Sequence, residues 1–236
     1  MAEAHFDHLS GFDAIEVYES KRLGDSAKFV ITRRWSDARV DLLMHATSRL
    51  PDVAASRHSD GKRVAARLTH ELGHSDELLV YIPNLYRNTR RFTTAEIQRS
   101  NFLPLYPLRD FLPIMRGELS YLRLPDQLVD GTSLMVIEGR PLYEDQGFDQ
   151  LLLHFSPESP LAVRTTYLRR GRELRRVLID PAYIVDREGW LVPMRRLVIG
   201  RDGVTTELRL RNLLMNPYLP DGFFSEHNLR VQRFPH

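Results

Sequence analysis

The chain has 236 residues, 42% of them hydrophobic, and its 33 basic and 31 acidic side chains leave a net charge of +2. Those charges are interspersed rather than blocked, which excludes the row of phosphate contacts on which nucleic-acid affinity depends. The lack of cysteine excludes disulfides, thiolate metal sites, a cysteine nucleophile and a lipid-modified cysteine.

The opening MAEAHFDHLSGFD has no apolar run, so residues 1–11 are expected to be a tail or short helix, with no signal peptide in this chain. The compartment is then either the cytoplasm or one reached by a leader already removed. No stretch approaches the ~20 apolar residues of a membrane span. Residues 12–236 are expected to form a single domain, as all-β sheets of this size often do.

From residue 12 the pattern is short strands of period two, separated by turn residues. FDAIEVYES (12–20), AKFVITRRW (27–35) and ARVDLLMHA (38–46) are the first three, the last two joined through Ser36 and Asp37. Next comes the strongest catalytic motif in the chain. His70-Glu71-Leu72-Gly73-His74 spells the H-E-x-x-H signature of zinc metalloproteases. On a helix, its two histidines hold the metal and the glutamate acts as general base.

The flanks argue for a strand instead. Val64, Ala66, Leu68, His70 and Leu72 fall on one face of an extended segment, with Arg63, Ala65, Arg67, Thr69 and Glu71 on the other. Gly73-His74-Ser75-Asp76 then leads at once into ELLVYI (77–82), as a hairpin would. Residues four apart in a strand are separated by about 13 Å, whereas histidine ligands lie ~2 Å from zinc. The extended motif would also need Gly at 77 and His at 80, where the chain has Glu77 and Val80. No metal site, catalytic residue or cofactor is therefore assigned, and Glu71 is expected to face solvent. His154, which interrupts an apolar strand, is read as structural.

From Phe92 to Arg116 the alternation stops. TTAEIQRS (93–100) carries a Thr cap signal for a short helix, and NFLPLYPLRDFLPIMRG is apolar with prolines at 104, 107 and 113. Three prolines so close forbid a long helix or central strand, leaving an apolar loop of the kind that covers a core or pocket. Strands resume at SLMVIEGR (133–140) and DQLLLHF (149–155). LAVRTTYL (161–168), ELRRVLI (173–179), GWLVPMRRLVI (189–199) and VTTELRL (204–210) then form a meander with short Gly/Asp turns. On the last, Val204, Thr206, Leu208 and Leu210 share a dry face opposite Thr205, Glu207 and Arg209.

These segments carry a resemblance. DELLVYIPNLYRNTRRF (76–92) resembles the "YLP…RRI" signature of the LolA-like outer-membrane lipoprotein-sorting family, through Tyr81, Ile82 and Pro83 and then Arg90, Arg91 and Phe92. VDGTSLMVIEGRP and SPLAVRTTYLRRGRELRRVLI resemble the family's later hairpins. DREGWLVPMRRLVIGRDGVTTELRLRNLLMN is similar to its following stretch, with Gly189, Trp190, Pro193, Gly203 and Thr206 in the expected places, and YLPDGFFSEHNL to its ending. The resemblance runs from about residue 12 to 231. The chain departs from the family in lacking a leader and in its proline-rich loop.

The resemblance implies a mainly β (α+β) fold: a single strongly curved antiparallel sheet forming an incomplete barrel, with short helices or loops covering the concave face. It implies a non-enzymatic periplasmic carrier or sensor that holds lipoprotein acyl chains or another lipid in an apolar cavity. Partners would be that lipid and an envelope donor or acceptor protein. Candidate lining residues are the same-face sets Leu78, Val80 and Ile82; Leu151, Leu153 and Phe155; and Val204, Leu208 and Leu210. Phe102, Leu103, Leu105, Tyr106, Phe111 and Leu112 are the candidate lid. Arg87, Arg90 and Arg91 are candidates for headgroup or partner contact. Two other readings stay open: a zinc-dependent peptidase using residues 70–74, and a ligand-free interaction module of a cell-envelope complex.

Overall fold

The computed structural model describes residues 11–22, 25–36, 38–46, 64–81, 89–92, 114, 117–143, 147–180, 183–185, 191–201 and 203–231. They are almost all strand: β1 Gly11–Arg22, β2 Asp25–Ser36, β3 Arg39–Ala46, β4 Val64–Glu71, β5 Glu77–Tyr81, β6 Arg90–Phe92, β7 Leu119–Val129, β8 Thr132–Pro141, β9 Gln150–Phe155, β10 Ala162–Arg169, β11 Arg172–Ile179, β12 Tyr183–Val185, β13 Leu191–Pro193, β14 Arg195–Gly200 and β15 Thr205–Met215. Among the described residues there is one helix, α1, at Glu226–Val231. Thirteen strands are hydrogen-bonded in the order β6-β5-β4-β3-β2-β1-β15-β14-β11-β10-β9-β8-β7, while β12 pairs with β13. The ladders are antiparallel and the order is open at β6 and β7, so the sheet is not a closed barrel, as expected.

Contacts divide the chain into two compact units, Leu9–Pro113 with Leu210–His236, and Ile114–Arg209 with Met1–His8. In the first, β1 to β6 form a plain meander. The β3–β4 and β4–β5 registers put Leu42 beside Leu68 and Leu68 beside Leu78, with Met44, Ala66 and Val80 in the next row. All six are buried. The opposite face holds Leu43, Ala65 and Leu79, and the end of the chain returns to cover it with Leu219, Phe223 and Leu229.

Polar bonds pin that return. Arg34 Nη2 donates to Leu219 O at 3.2 Å, and Arg67 Nη1 donates to Phe224 O at 2.9 Å. Ser225 caps α1, its Oγ accepting from Asn228 N–H at 3.2 Å. This short helix was not foreseen. Its cap was present in the sequence, but six residues hold no periodic stripe, and packing rather than propensity maintains so short a helix.

The second unit runs β14-β11-β10-β9-β8-β7, with the first residues of β15 beside β14. Two of its hairpins turn on residues with positive φ, Asp130-Gly131 (49° and 80°) and Arg170-Gly171 (51° and 69°). Two successive residues of this kind match the right-handed twist of the strands they join.

The sequence reading missed β7, which contains Pro125. A proline cannot donate to a ladder, so it counts against a central strand. Here β7 is an edge strand, and its register with β8 shifts between Leu124 and Gln127, around the proline. The expected strand 189–199 also divides. Leu191–Pro193 pairs with β12, Met194 breaks the run, and Arg195–Gly200 joins the main sheet. Pro193, lacking an N–H, ends the first piece. Finally β15 continues to Met215, past the expected end at 210. TTAEIQRS and most of the proline-rich loop lie outside the described residues.

Candidate functional site

The HELGH segment is a strand end and turn, as the flanks argued. β4 stops at Glu71, Gly73 takes φ +80°, and β5 begins at Glu77. Leu72, expected on the inner face, lies in the turn, and its N–H donates to Ala38 O at 2.9 Å. Alternation buries His70 completely, and its Nδ1 lies 2.7 Å from Asp76 Oδ1. A carboxylate only accepts, so Nδ1 carries the hydrogen. His74 is exposed instead, with Nδ1 3.3 Å from Leu72 O and 3.7 Å from the half-exposed Glu71. Among the described residues no cluster of three His, Asp or Glu could hold a metal ion.

The lining candidates fall into separate sets. Leu78 and Val80 share the buried face of β5 with Leu68 and Ala66 across the register. Their neighbour Ile82 lies outside the described residues, as do Arg87 and the lid candidates Phe102, Leu103, Leu105, Tyr106, Phe111 and Leu112. Arg90 and Arg91 are both exposed on β6, but strand alternation sends them to opposite faces. Arg90 holds its guanidinium 4.8 Å from the centre of the Phe92 ring, whereas Arg91 pairs with Glu77 at 2.9 Å. They therefore do not form one cluster.

In the second unit Leu151, Leu153 and Phe155 point to one face of β9 and pack with Leu119, Ile137 and Tyr167. Register carries this face across the sheet. Leu153 is opposite Thr165, Thr165 opposite Val177, Val177 opposite Val198 and Val198 opposite Thr206, next to Leu208 on the same side of β15. Leu208 and Leu210 are buried, while Val204 precedes the strand and is half-buried. Leu210 belongs to the first unit.

The other face of this sheet was overlooked, although the alternation of LAVRTTYL and ELRRVLI contained it. Leu152, Thr166, Arg176 and Ile199 lie side by side across β9, β10, β11 and β14, and His154, Arg164, Leu178 and Leu197 form the next row. His154 and Thr166 are buried, and the other six are half-buried. His154 Nε2 lies 3.2 Å from Gln127 Oε1, so it carries the ring hydrogen, while the buried Nδ1 has no partner among the described residues. Burial, and next the charge of Arg164, push the imidazole pKa below its ordinary value, keeping it neutral. Arg176 donates to Glu173 at 2.9 Å. Arg164 donates only to Thr166 Oγ1, at 3.3 Å, and has no carboxylate partner among the described residues.

No protein-family model matches the chain, and no curated protein matches it significantly. Its architecture defines it instead: the open antiparallel sheet is the LolA-like fold. The chain is similar to a domain assigned to outer-membrane lipoprotein sorting from Vibrio parahaemolyticus, at 16% identity and TM-score 0.76, covering 97% of this chain and 95% of that one. It is similar to a DUF1329-family protein from Desulfovibrio piger, at 17% identity and TM-score 0.72, covering 96% and 94%. A LolA-superfamily protein from Nitrosomonas europaea shares 12% identity at TM-score 0.62, covering 92% and 90%. These likenesses establish the fold.

Proposed function

We propose that the protein is a non-enzymatic periplasmic carrier that holds the acyl chains of a lipoprotein, or of another lipid, against an apolar sheet face. The observation that carries this reading is the wholly apolar block Leu42, Met44, Ala66, Leu68, Leu78 and Val80, on a sheet whose opposite face is already occupied by the chain's own C-terminal segment. Leu151, Leu153, Phe155 and Leu208 offer a second apolar patch, on a face that also carries Thr165 and Thr206, and in this reading Ile82, Val204 and Leu210 extend the two. The proline-rich loop is the lid, through Phe102, Leu103, Leu105, Tyr106, Phe111 and Leu112.

The chemistry needs no catalyst. Each methylene removed from water contributes about 0.8 kcal/mol, so one long chain supplies on the order of 10 kcal/mol before ordering costs. Capture is then easy and release requires help, which is why a donor or acceptor protein of the envelope belongs to the reading. Arg90, on the Val80 side of the sheet, and Arg87 would meet the lipid headgroup, and Arg91, on the opposite side, the partner protein.

The test is organic extraction and native mass spectrometry of protein purified without detergent. The expected result is a co-purifying lipid, displaced when Leu78 or Val80 is replaced by Asp. An empty chain that also fails to bind a fluorescent long-chain fatty acid would overturn the proposal and leave an interaction module on the same fold.

A further inference from the structure

We propose that the overlooked face of β9, β10, β11 and β14 binds the phosphate of an anionic phospholipid, with Arg164 as its principal contact, Arg176 as its second, and Leu152, Leu178, Leu197 and Ile199 taking the first methylenes of the chains. This rests on the lipid-carrier reading and adds to it a site and a headgroup class.

Charge is the first ground. On this face Arg140 pairs with Glu138, Arg176 with Glu173, and Arg195 and Arg209 both with Glu207. Arg164 alone of these five has no carboxylate partner among the described residues. It sits diagonally across the β10–β11 ladder from Arg176, a separation of about 7–8 Å that long side chains readily close. Burial, and then the charge of Arg176, depress the Arg164 pKa below the usual guanidinium value. Glu173 and Asp130 offset part of that repulsion from a distance, but neither forms an ion pair with Arg164, and an added anion in contact with the guanidinium relieves the rest.

Geometry is the second ground. A guanidinium is a planar fork that meets phosphate oxygens two at a time. Across the β9–β10 ladder from Arg164, the neutral His154 adds neither competing negative charge nor further repulsion. The third ground is the surroundings. The four flanking aliphatic side chains are half-buried, neither packed away as core nor widely exposed. Charged forks set among partly exposed aliphatics match an amphiphile, and match free phosphate poorly, since it gains nothing from the leucines.

The experiment measures binding of the full chain to dioctanoyl-phosphatidylglycerol, dioctanoyl-phosphatidylcholine and inorganic phosphate by titration calorimetry below the micellar concentration of the lipids. The wild-type protein is expected to bind the glycerol lipid at least about tenfold more tightly than the choline lipid, a preference that weakens with salt. Inorganic phosphate is expected to bind far more weakly than either. Arg164→Gln and Arg176→Gln should each weaken the glycerol lipid at least about tenfold and abolish the preference, while the choline lipid, whose ammonium already offsets its phosphate against the two guanidinia, should lose less. Leu178→Ala should weaken both lipids alike.

If both lipids bind but Arg164→Gln keeps the preference, the headgroup site is wrong and the carrier reading stands. If neither lipid binds, the headgroup site falls, and the carrier reading is decided by the extraction and fatty-acid experiment above. If phosphate binds as tightly as the anionic lipid, the phospholipid assignment is overturned. Because Arg164 is only half-buried, its variants are expected to fold, and an unchanged thermal-unfolding midpoint verifies that they do.

Discussion

His70 and Asp76 face each other across the turn between β4 and β5, with imidazole Nδ1 2.7 Å from the carboxylate oxygen and the histidine wholly buried. The bond commits that ring nitrogen to its own hairpin and holds His70 away from His74, which stands out in solvent. Asp76→Ala should destabilise the chain by about 1–3 kcal/mol, the cost of stranding a buried polar group, measured as a shift in denaturation midpoint. Added zinc should leave the wild-type melting temperature unchanged. Stoichiometric zinc in the purified protein, lost in His70→Ala, would restore the peptidase reading.

Leu79 and Leu229 meet in the cluster that joins the β5 sheet face to the C-terminal helix. Truncating either to Ala should cost about 2–5 kcal/mol, as large-to-small core changes do. Because the two share one cluster, the double variant should lose less than the sum of the singles. Full additivity in chemical denaturation would mean that the C-terminal segment does not rest on this face in solution.

His154 predicts a pH dependence. Its folded pKa is lowered by burial and then by Arg164, so below the ordinary value of about 6.5 the unfolded chain binds the proton first. The stabilisation is complete above that value and is lost as pH falls from there towards the folded pKa, with a slope of at most about 1.4 kcal/mol per pH unit. His154→Gln should flatten the stability profile on the acid side of about pH 6.5 relative to wild type. Parallel profiles for the two proteins would refute the assignment.

Much of this was legible along the chain because a strand's alternation is local. The extent of ARVDLLMHA, the hairpin around Gly73 and the dry side of VTTELRL all emerge from residues close together in the chain, and the structure keeps each. Failures came where a local rule met a non-local exception. Pro125 argues against a strand until β7 proves to be an edge, and edge position is a property of the assembled sheet. Likewise Arg90 and Arg91 read as one basic cluster in linear sequence but face apart on the strand.

The amino-acid sequence by itself determined the strand class, most strand boundaries, and which side chains alternate together, because period-two patterning and turn chemistry act over a few residues. Only the tertiary structure decided which face is covered and by what, since Leu219 and Phe223 must return across more than half the chain to reach Leu43 and Leu79. Tertiary pairing alone also set Arg164 diagonally to Arg176 and left it without a carboxylate among the described residues. Hydrogen-bond register between strands brings such groups together, and register depends on the whole sheet.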